Sequence, residues 1–98
     1  MAPLGDGESK QFSLHWGSGI IEEEVQIETE HHKPTIQLLK FLEGEAAGRY
    51  EIRFCHYDHR GRFQRSPLII DVEHLGDLGR ELKKSPKLRE FIAQLASQ

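Results

Sequence analysis

Apolar and polar residues alternate through the first third of the chain, which is the period-two pattern of half-buried β-strands. From Gln11 to Trp16 every second residue is apolar, and the Gly17-Ser18-Gly19 segment that follows is expected to break the strand. Between Ile21 and Glu30 the apolar residues share one parity, while glutamates and a glutamine share the other. This pattern predicts a second strand with an acidic outer face. Pro34 cannot donate a ladder hydrogen bond, so we expect that strand to end before it.

Two further strand-like segments, Thr35 to Glu43 and Arg49 to Asp58, are separated by a connection of five residues. The first fits a short helix as well as a strand by its pattern, and the short connection favours a β-hairpin. If Glu43 lies opposite Arg49, one face carries Ile36, Leu38, Leu42, Tyr50, Phe54 and His56. The other face carries Leu39, Phe41, Glu51 and Arg53. We expect the first face to contact the core.

A second turn follows this hairpin. Asp58 and Gly61 suit the first and last positions of a type I turn, and the chain is predicted to return as a strand from Arg62 to Ile70. Pro67 lies within that strand, which places it at an edge of the sheet or beside a bulge.

The apolar spacing then becomes helical. Asp71 is the expected N-cap of a first helical segment, and Ser85-Pro86 is the expected start of a second. The stripes that would face a partner surface are Val72, Leu75, Leu78 and Leu82, then Leu88, Phe91, Ile92 and Leu95.

Together these patterns predict an α+β fold, namely a four-stranded antiparallel β-meander followed by one interrupted or two C-terminal helices. Ninety-eight residues are enough for one compact core, so we assign residues 11–98 to a single domain. Residues 1–10 contain few apolar side chains and are predicted to be a flexible N-terminal tail.

Charge is unevenly distributed along the chain. Ten of the thirteen Lys and Arg residues lie between Arg49 and Arg89, although the formal net charge of the protein is −3. Residues 1–48 hold three basic and nine acidic residues, whereas residues 49–89 hold ten basic and six acidic residues. A local positive region in an acidic protein is typical of one that binds a polyanion.

Other functional classes have less support in the sequence. Cys55 is the only cysteine, so an internal disulfide is excluded, and an intracellular location follows, cytoplasmic by default with the nucleus or nucleoid as alternatives. No stretch approaches the roughly 20 apolar residues of a membrane span, so we expect no membrane association. Cys55 and His56 point to opposite faces of their strand, and no second ligand pair completes a metal site. We predict no metal, no cofactor, no catalytic residue and no enzymatic activity.

The order strand, strand, strand, strand, helix, with a short acidic turn before the last strand, resembles the transcriptional positive coactivator domain. That family is grouped with the Whirly and Pur-alpha proteins. The local match consists of Ile52-Arg53, Asp58, Gly61, Ile69 and the helix near Asp71. The Gly61-Arg62-Phe63 segment is similar to a Pur-type repeat, and the resemblance covers residues 35–82.

The resemblance implies a curved antiparallel sheet that binds single-stranded nucleic acid and helices that support dimerisation. Two features depart from the family pattern. The strand from Glu22 to Glu30 is acidic, and Gln64-Arg65-Ser66-Pro67 stands where the family has a Lys- and Gly-rich segment.

The predicted pairing places Phe41, Arg53, Tyr57 and Arg62 on the sheet face opposite the expected core, with Arg60 and Phe63 at the hairpin tip. Unpaired bases stack on aromatic rings, and arginine can stack on bases or bind phosphate. We therefore predict a homodimer that binds single-stranded DNA or RNA, as in a transcriptional regulator. The predicted site residues are Phe41, Arg53, Tyr57, Arg60, Arg62, Phe63 and Arg65.

Two alternatives stay open. The same aromatic and basic face could bind a protein partner, with the acidic strand selecting that partner by charge. In the other alternative, Leu39 and Phe41 are covered by another part of the fold or by a dimer partner, and the arginines are solvated or paired with glutamate.

Overall fold

A computed structural model describes residues 10–65 and 67–98. Over these residues the protein is an α+β domain of five strands followed by a short 3₁₀ helix and two α-helices. The strands are β1 (Gln11–Leu14), β2 (Gly17–Gln26), β3 (Lys33–Glu43), β4 (Tyr50–Tyr57) and β5 (Leu68–Asp71). The 3₁₀ helix is Val72–His74, and the α-helices are α1 (Leu75–Leu82) and α2 (Pro86–Ala96). Apart from Lys10, the predicted N-terminal tail lies outside the described residues.

All five strands form one antiparallel sheet in the order β1-β2-β3-β4-β5, which curves into a half-barrel. The predicted four-stranded meander is therefore wrong. All five strand-like segments of the sequence belong to the sheet, because the terminal strands β1 and β5 each pair with a longer neighbour although each has only four residues. Short strands are common at sheet edges, where they limit pairing with other chains.

The turn between β1 and β2 is tighter than predicted. His15 and Trp16 form it, and the glycines expected to break the chain belong to β2. Gly19 lies between Phe12 of β1 and Phe41 of β3 in the sheet. A Cβ atom at Gly19 would collide with the carbonyl oxygen of Lys40, so the close approach of β2 to β3 requires glycine at this position.

A β-bulge between Ile21 and Glu23 changes which side chains of β2 face the inside of the half-barrel. Before the bulge, Ile21 lies on the concave face opposite Leu39. After it, Glu24 occupies that face and Val25 points to the convex side. The predicted acidic outer face of this strand is therefore wrong, because one extra residue reverses the alternation.

The core occupies one end of the concave face and consists of Phe12, Ile21, Leu39, Phe41 and Ala46. The rings of Phe12 and Phe41 meet edge to face, with their centroids 4.8 Å apart. The backbone N–H of Ala46 donates to the carbonyl oxygen of Trp16 at 3.0 Å, so the loop after β3 closes this end.

The predicted core face is wrong, although the residues were grouped correctly. Strands β3 and β4 pair with Lys40 opposite Tyr50, two residues away from the predicted register, and a shift of two keeps each side chain on its face. Leu39 and Phe41 are 0% exposed, whereas Leu42 is 52% and Phe54 37% exposed on the convex side. The sheet buries the more polar face because its curvature brings Phe12 over Phe41.

The two helices leave their apolar stripes uncovered. Neither α1 nor α2 contains a buried residue. Asp71 caps the 3₁₀ helix as predicted, since its side chain accepts a hydrogen bond from the Glu73 N–H at 2.8 Å. Within residues 10–65 and 67–98, no helix has the length and apolar character needed to span a bilayer.

Candidate nucleic-acid interface

Three of the seven predicted site residues meet at the open end of the concave face. The guanidinium carbon of Arg53 lies 4.8 Å from the centroid of the Phe63 ring. The same ring packs edge to face against Tyr57, with 5.4 Å between centroids. We call Arg53, Tyr57 and Phe63 the arginine–aromatic cluster. Aromatic rings that stack on a cation in this way can also stack on a nucleobase.

The strand and turn that hold this cluster follow from local sequence. Arg53 and Tyr57 are four residues apart in β4, so they project from the same face. The turn after β4 is closed by a hydrogen bond from the Gly61 N–H to the Asp58 carbonyl oxygen at 2.9 Å. The left-handed φ of Gly61, 83°, suits glycine. The chain then returns so that Phe63 forms an isolated β-bridge with Tyr57.

Asp58 fixes this turn through its carboxylate. Oδ1 accepts hydrogen bonds from the backbone N–H groups of Arg60 and Arg62, both at 2.9 Å, and Oδ2 pairs with the Arg62 Nε at 2.7 Å. The backbone hydrogen bond from Arg62, joined by those from its side chain and from Arg60, holds the pKa of Asp58 below its ordinary value. The carboxylate is therefore charged at neutral pH and keeps the turn in one conformation.

Gln37 of β3 joins the cluster to the rest of the concave face. Its Oε1 accepts a hydrogen bond from the Arg53 Nε at 2.7 Å, and its Nε2 donates to the Tyr57 hydroxyl at 2.9 Å. The same Nε2 donates to Glu24 Oε2 at 2.6 Å. Because Gln37 is fully buried, these bonds orient Arg53 and Tyr57 without competition from water.

Glu24 completes the polar layer beneath the cluster. Its Oε1 lies 2.8 Å from the Lys10 Nζ. Burial alone would raise the pKa of Glu24, but hydrogen bonds from Lys10 and Gln37 and the charges of Lys10 and Arg53 outweigh burial and lower it. Glu24 is therefore ionised, and its charge is offset by two cations.

The end of the Arg53 side chain stays available. The residue is only 7% exposed, and its Nε bonds to Gln37. Its two terminal nitrogens donate to none of the residues in the described part of the chain, yet no described side chain has a buried polar atom without a partner. These terminal nitrogens, which carry four N–H donors, lie beside the Phe63 ring.

The other four predicted residues are placed differently. Phe41 shares the concave face with Arg53 and Tyr57, but it is fully buried in the closed apolar end, so the prediction that it belongs to the binding site is wrong. Arg60, Arg62 and Arg65 are exposed along the connection from β4 to β5, and Arg62 is held by Asp58. The connection is also tied to the turn between β2 and β3, because His59 Nε2 lies 2.8 Å from the Thr29 carbonyl oxygen.

Sequence reasoning missed Gln37 and Glu24. Gln37 alternates in phase with Leu39 and Phe41, so the sequence places it on the same face of β3 as these two residues. It could have been found if that face had been assigned to the core. Glu24 could not be placed, because its orientation depends on the bulge in β2.

Cys55 also lies near this layer, with its Sγ 3.5 Å from Gln37 Oε1. Burial, more than any other influence, raises the pKa of the Cys55 thiol, so it is protonated and a weak nucleophile at neutral pH. Within the described ranges, no three His, Cys, Asp or Glu residues form a group that could hold a metal ion.

Comparison with known proteins finds no match for this chain. The chain matches no protein-family model, no curated protein and no solved structure. The resemblance to the coactivator, Whirly and Pur-alpha group therefore stays a prediction.

Proposed function

We propose that this protein binds single-stranded DNA or RNA at the open end of its concave sheet face. The observation that carries the proposal is the stacking of Arg53 on the exposed Phe63 ring, with terminal guanidinium nitrogens that donate to none of the described residues. One site then offers an aromatic surface for a base and guanidinium N–H donors for a phosphate.

In this proposal Phe63 supplies the stacking surface, since 43% of the residue is exposed. Tyr57 supports the ring from its edge, and Gln37 keeps Arg53 from rotating away. Stacking one base on such a ring contributes about 1 to 3 kcal/mol, which is enough to make a single aromatic side chain decisive for a weak ligand.

The arginines of the β4–β5 connection supply the electrostatic part of the interface. Arg60 and Arg65 are exposed, and Arg62 retains a largely exposed side chain although it pairs with Asp58. The glutamates of β2 and of the turn after it would repel a polyanion. At this end, however, Glu24 is paired with Lys10 and Glu28 lies 3.8 Å from Lys33. The local field is therefore more favourable to phosphate than the net charge of the chain implies.

A homodimer is part of the proposal. The described part of the chain buries none of the residues of α1 or α2, so their apolar stripes need a further covering surface. Two copies would also place two basic connections on one particle, which favours binding of a longer strand through effective concentration.

Fluorescence anisotropy with a labelled oligonucleotide of about 16 nucleotides tests the proposal. Binding should be saturable at about 50 mM salt and weaker at about 200 mM salt. Phe63→Leu, which removes the aromatic face but keeps an apolar side chain, should weaken binding by about 5- to 100-fold, and Phe63→Tyr should bind like the wild type. The absence of saturable binding at low salt, or equal binding by both variants, would contradict the proposal.

Two variants that each remove one arginine charge test the electrostatic part of the interface in the same experiment. Arg65→Gln should lower the slope of log affinity against log salt by about 0.7, the value for one phosphate contact with a single strand. Arg80→Gln is the matched control, because Arg80 is exposed on α1 and pairs with Asp77. A slope that falls equally in both variants would indicate a general charge effect rather than a site.

A further inference from the structure

We infer that the convex face of the sheet receives α2 from a second copy of this chain, and that the contact is reciprocal. The inference rests on the homodimer of the proposed function and specifies how it is built. It does not depend on the nucleic-acid ligand, because the convex face and the arginine–aromatic cluster lie on opposite sides of the sheet.

The convex face carries an open apolar groove of about 500 Å³. Val25 and Ile27 line one side of it, Ile36 its floor and Phe54 the other side. Val25, Ile27 and Phe54 are between 37% and 64% exposed. A contiguous apolar surface of this kind marks an interface in proteins that are not membrane-bound.

The helix α2 also exposes an apolar surface. Its stripe of Leu88, Phe91, Ile92 and Leu95 is between 46% and 64% exposed, and none of its eleven residues is buried. An isolated helix of this length is marginally stable in water, because helices shorter than about 12 to 15 residues rarely form alone. Leu95, near the end of α2, reaches the groove of its own chain, and the rest of the stripe needs another surface.

The exposed apolar area is sufficient for a stable dimer. With about 90 Å² exposed on each of the three groove side chains and four helix side chains, one copy offers roughly 630 Å² of apolar surface. Standard stable interfaces bury roughly 600 to 1,000 Å² on each partner, so this surface alone reaches the lower end of that range.

Charge identifies the occupant as a second copy. Residues 22–30, along the edge of the groove, contain five glutamates and no basic residue; Glu24 faces the concave side and Glu28 lies 3.8 Å from Lys33, which leaves Glu22, Glu23 and Glu30 to meet a basic partner. Residues 83–90, at and before the start of α2, contain four basic residues and one acidic residue. Lys87 and Arg89 form no ion pair with other residues in the described ranges. The groove and the helix are thus complementary in shape and charge, and a two-fold axis satisfies both in each copy.

Sedimentation equilibrium of the full chain tests the inference. The wild type should be a dimer at micromolar concentration, and Phe91→Asp should weaken dimerisation at least about 100-fold, since it buries a charge at the centre of the contact. Phe63→Ala is the control, and it should dimerise normally while losing nucleic-acid binding. Loss of one property without the other therefore separates the failure of this inference from the failure of the proposed function.

Charge reversal tests the reciprocal arrangement in variants that keep every apolar side chain. Copies with Lys87→Glu and Arg89→Glu, or with Glu22→Lys and Glu23→Lys, should each dimerise about tenfold less tightly. An equimolar mixture of the two should recover at least part of that loss, because one of its two contacts pairs the reversed charges and the other is wild type. A monomeric wild type, or a mixture no tighter than its components, would overturn the inference.

Discussion

Both ends of the concave face are built on β2, β3 and β4, yet one is closed and the other is open. At the closed end, Leu39 and Phe41 of β3 are covered by Phe12 and Ala46. At the open end, the same parity of β3 and β4 presents Gln37 and Arg53 in a hydrogen-bonded layer. Side chains alternate in the same way at both ends, so the difference arises from the residues that cover each end.

The length of β1 explains this difference. Its four residues pair with Gly17 to Ile20, so they cover only the first part of the ten-residue strand β2. Beyond that point Lys10 continues the cover, with its carbonyl oxygen bonded to the Ile21 N–H at 2.8 Å and its ammonium group on Glu24. A short edge strand thus divides one sheet face into a core and a candidate site.

The comparison predicts that two phenylalanines on this face have opposite roles. Phe41→Ala should lower the free energy of unfolding by about 3 to 5 kcal/mol, because it opens a cavity in a closely packed core. Phe63→Ala should lower it by less than about 1.5 kcal/mol, since much of its ring is already in water. Denaturant unfolding of both variants measures the difference, and equal losses would show that the two ends are packed alike.

The polar layer gives the next largest expected effect. Gln37→Leu keeps the side-chain size but removes the hydrogen-bond partner of the Arg53 Nε, the Tyr57 hydroxyl and the Glu24 Oε2. We expect a loss of about 1 to 3 kcal/mol in unfolding free energy, because buried polar groups without partners are costly. Nucleic-acid affinity should also fall, since Arg53 is no longer oriented.

Leu38→Ala is a useful control for this variant. Leu38 neighbours Gln37 in β3 but faces the convex side, so its removal leaves the hydrogen-bonded layer intact. It should leave nucleic-acid affinity unchanged. If Gln37→Leu binds as tightly as Leu38→Ala, the layer does not orient the site.

Much of this architecture could be predicted from local sequence. The hairpin between β3 and β4, the turn at Asp58 and Gly61, the Asp71 cap and the helical C-terminus follow from periodicity and turn chemistry. Each depends on residues close together in the chain. The grouping of side chains in the hairpin was also predictable, because parity survives a two-residue error in register.

The choice of the buried face was not predictable in the same way. By composition the face of Ile36, Leu38 and Phe54 is the more apolar, and local reasoning assigns it to the core. Curvature decides otherwise, because it brings Phe12 to Phe41 across a close strand contact that depends on Gly19. The bulge in β2 likewise placed Glu24 where alternation alone could not.

The smallest expected effect concerns the pH dependence of the open end. Because the pKa of Glu24 is lower in the folded protein than in the unfolded chain, its ionisation stabilises the fold above about pH 4.5. That contribution is lost as the pH falls through the folded value, where the carboxylate gains a proton and releases Lys10. Glu24→Gln cannot titrate, so its unfolding free energy should vary less in this range.

The measurement is the difference in unfolding free energy between wild type and Glu24→Gln from about pH 6 to about pH 3. We expect the difference to change in favour of the variant as the pH falls, by less than about 1 kcal/mol because Lys10 is more than half exposed. Asp58, whose pKa is also lowered, titrates in both proteins, so its effect cancels in the difference. A difference independent of pH would mean that Lys10 does not hold Glu24 in solution, and the open end would then lack the cover that this structure gives it.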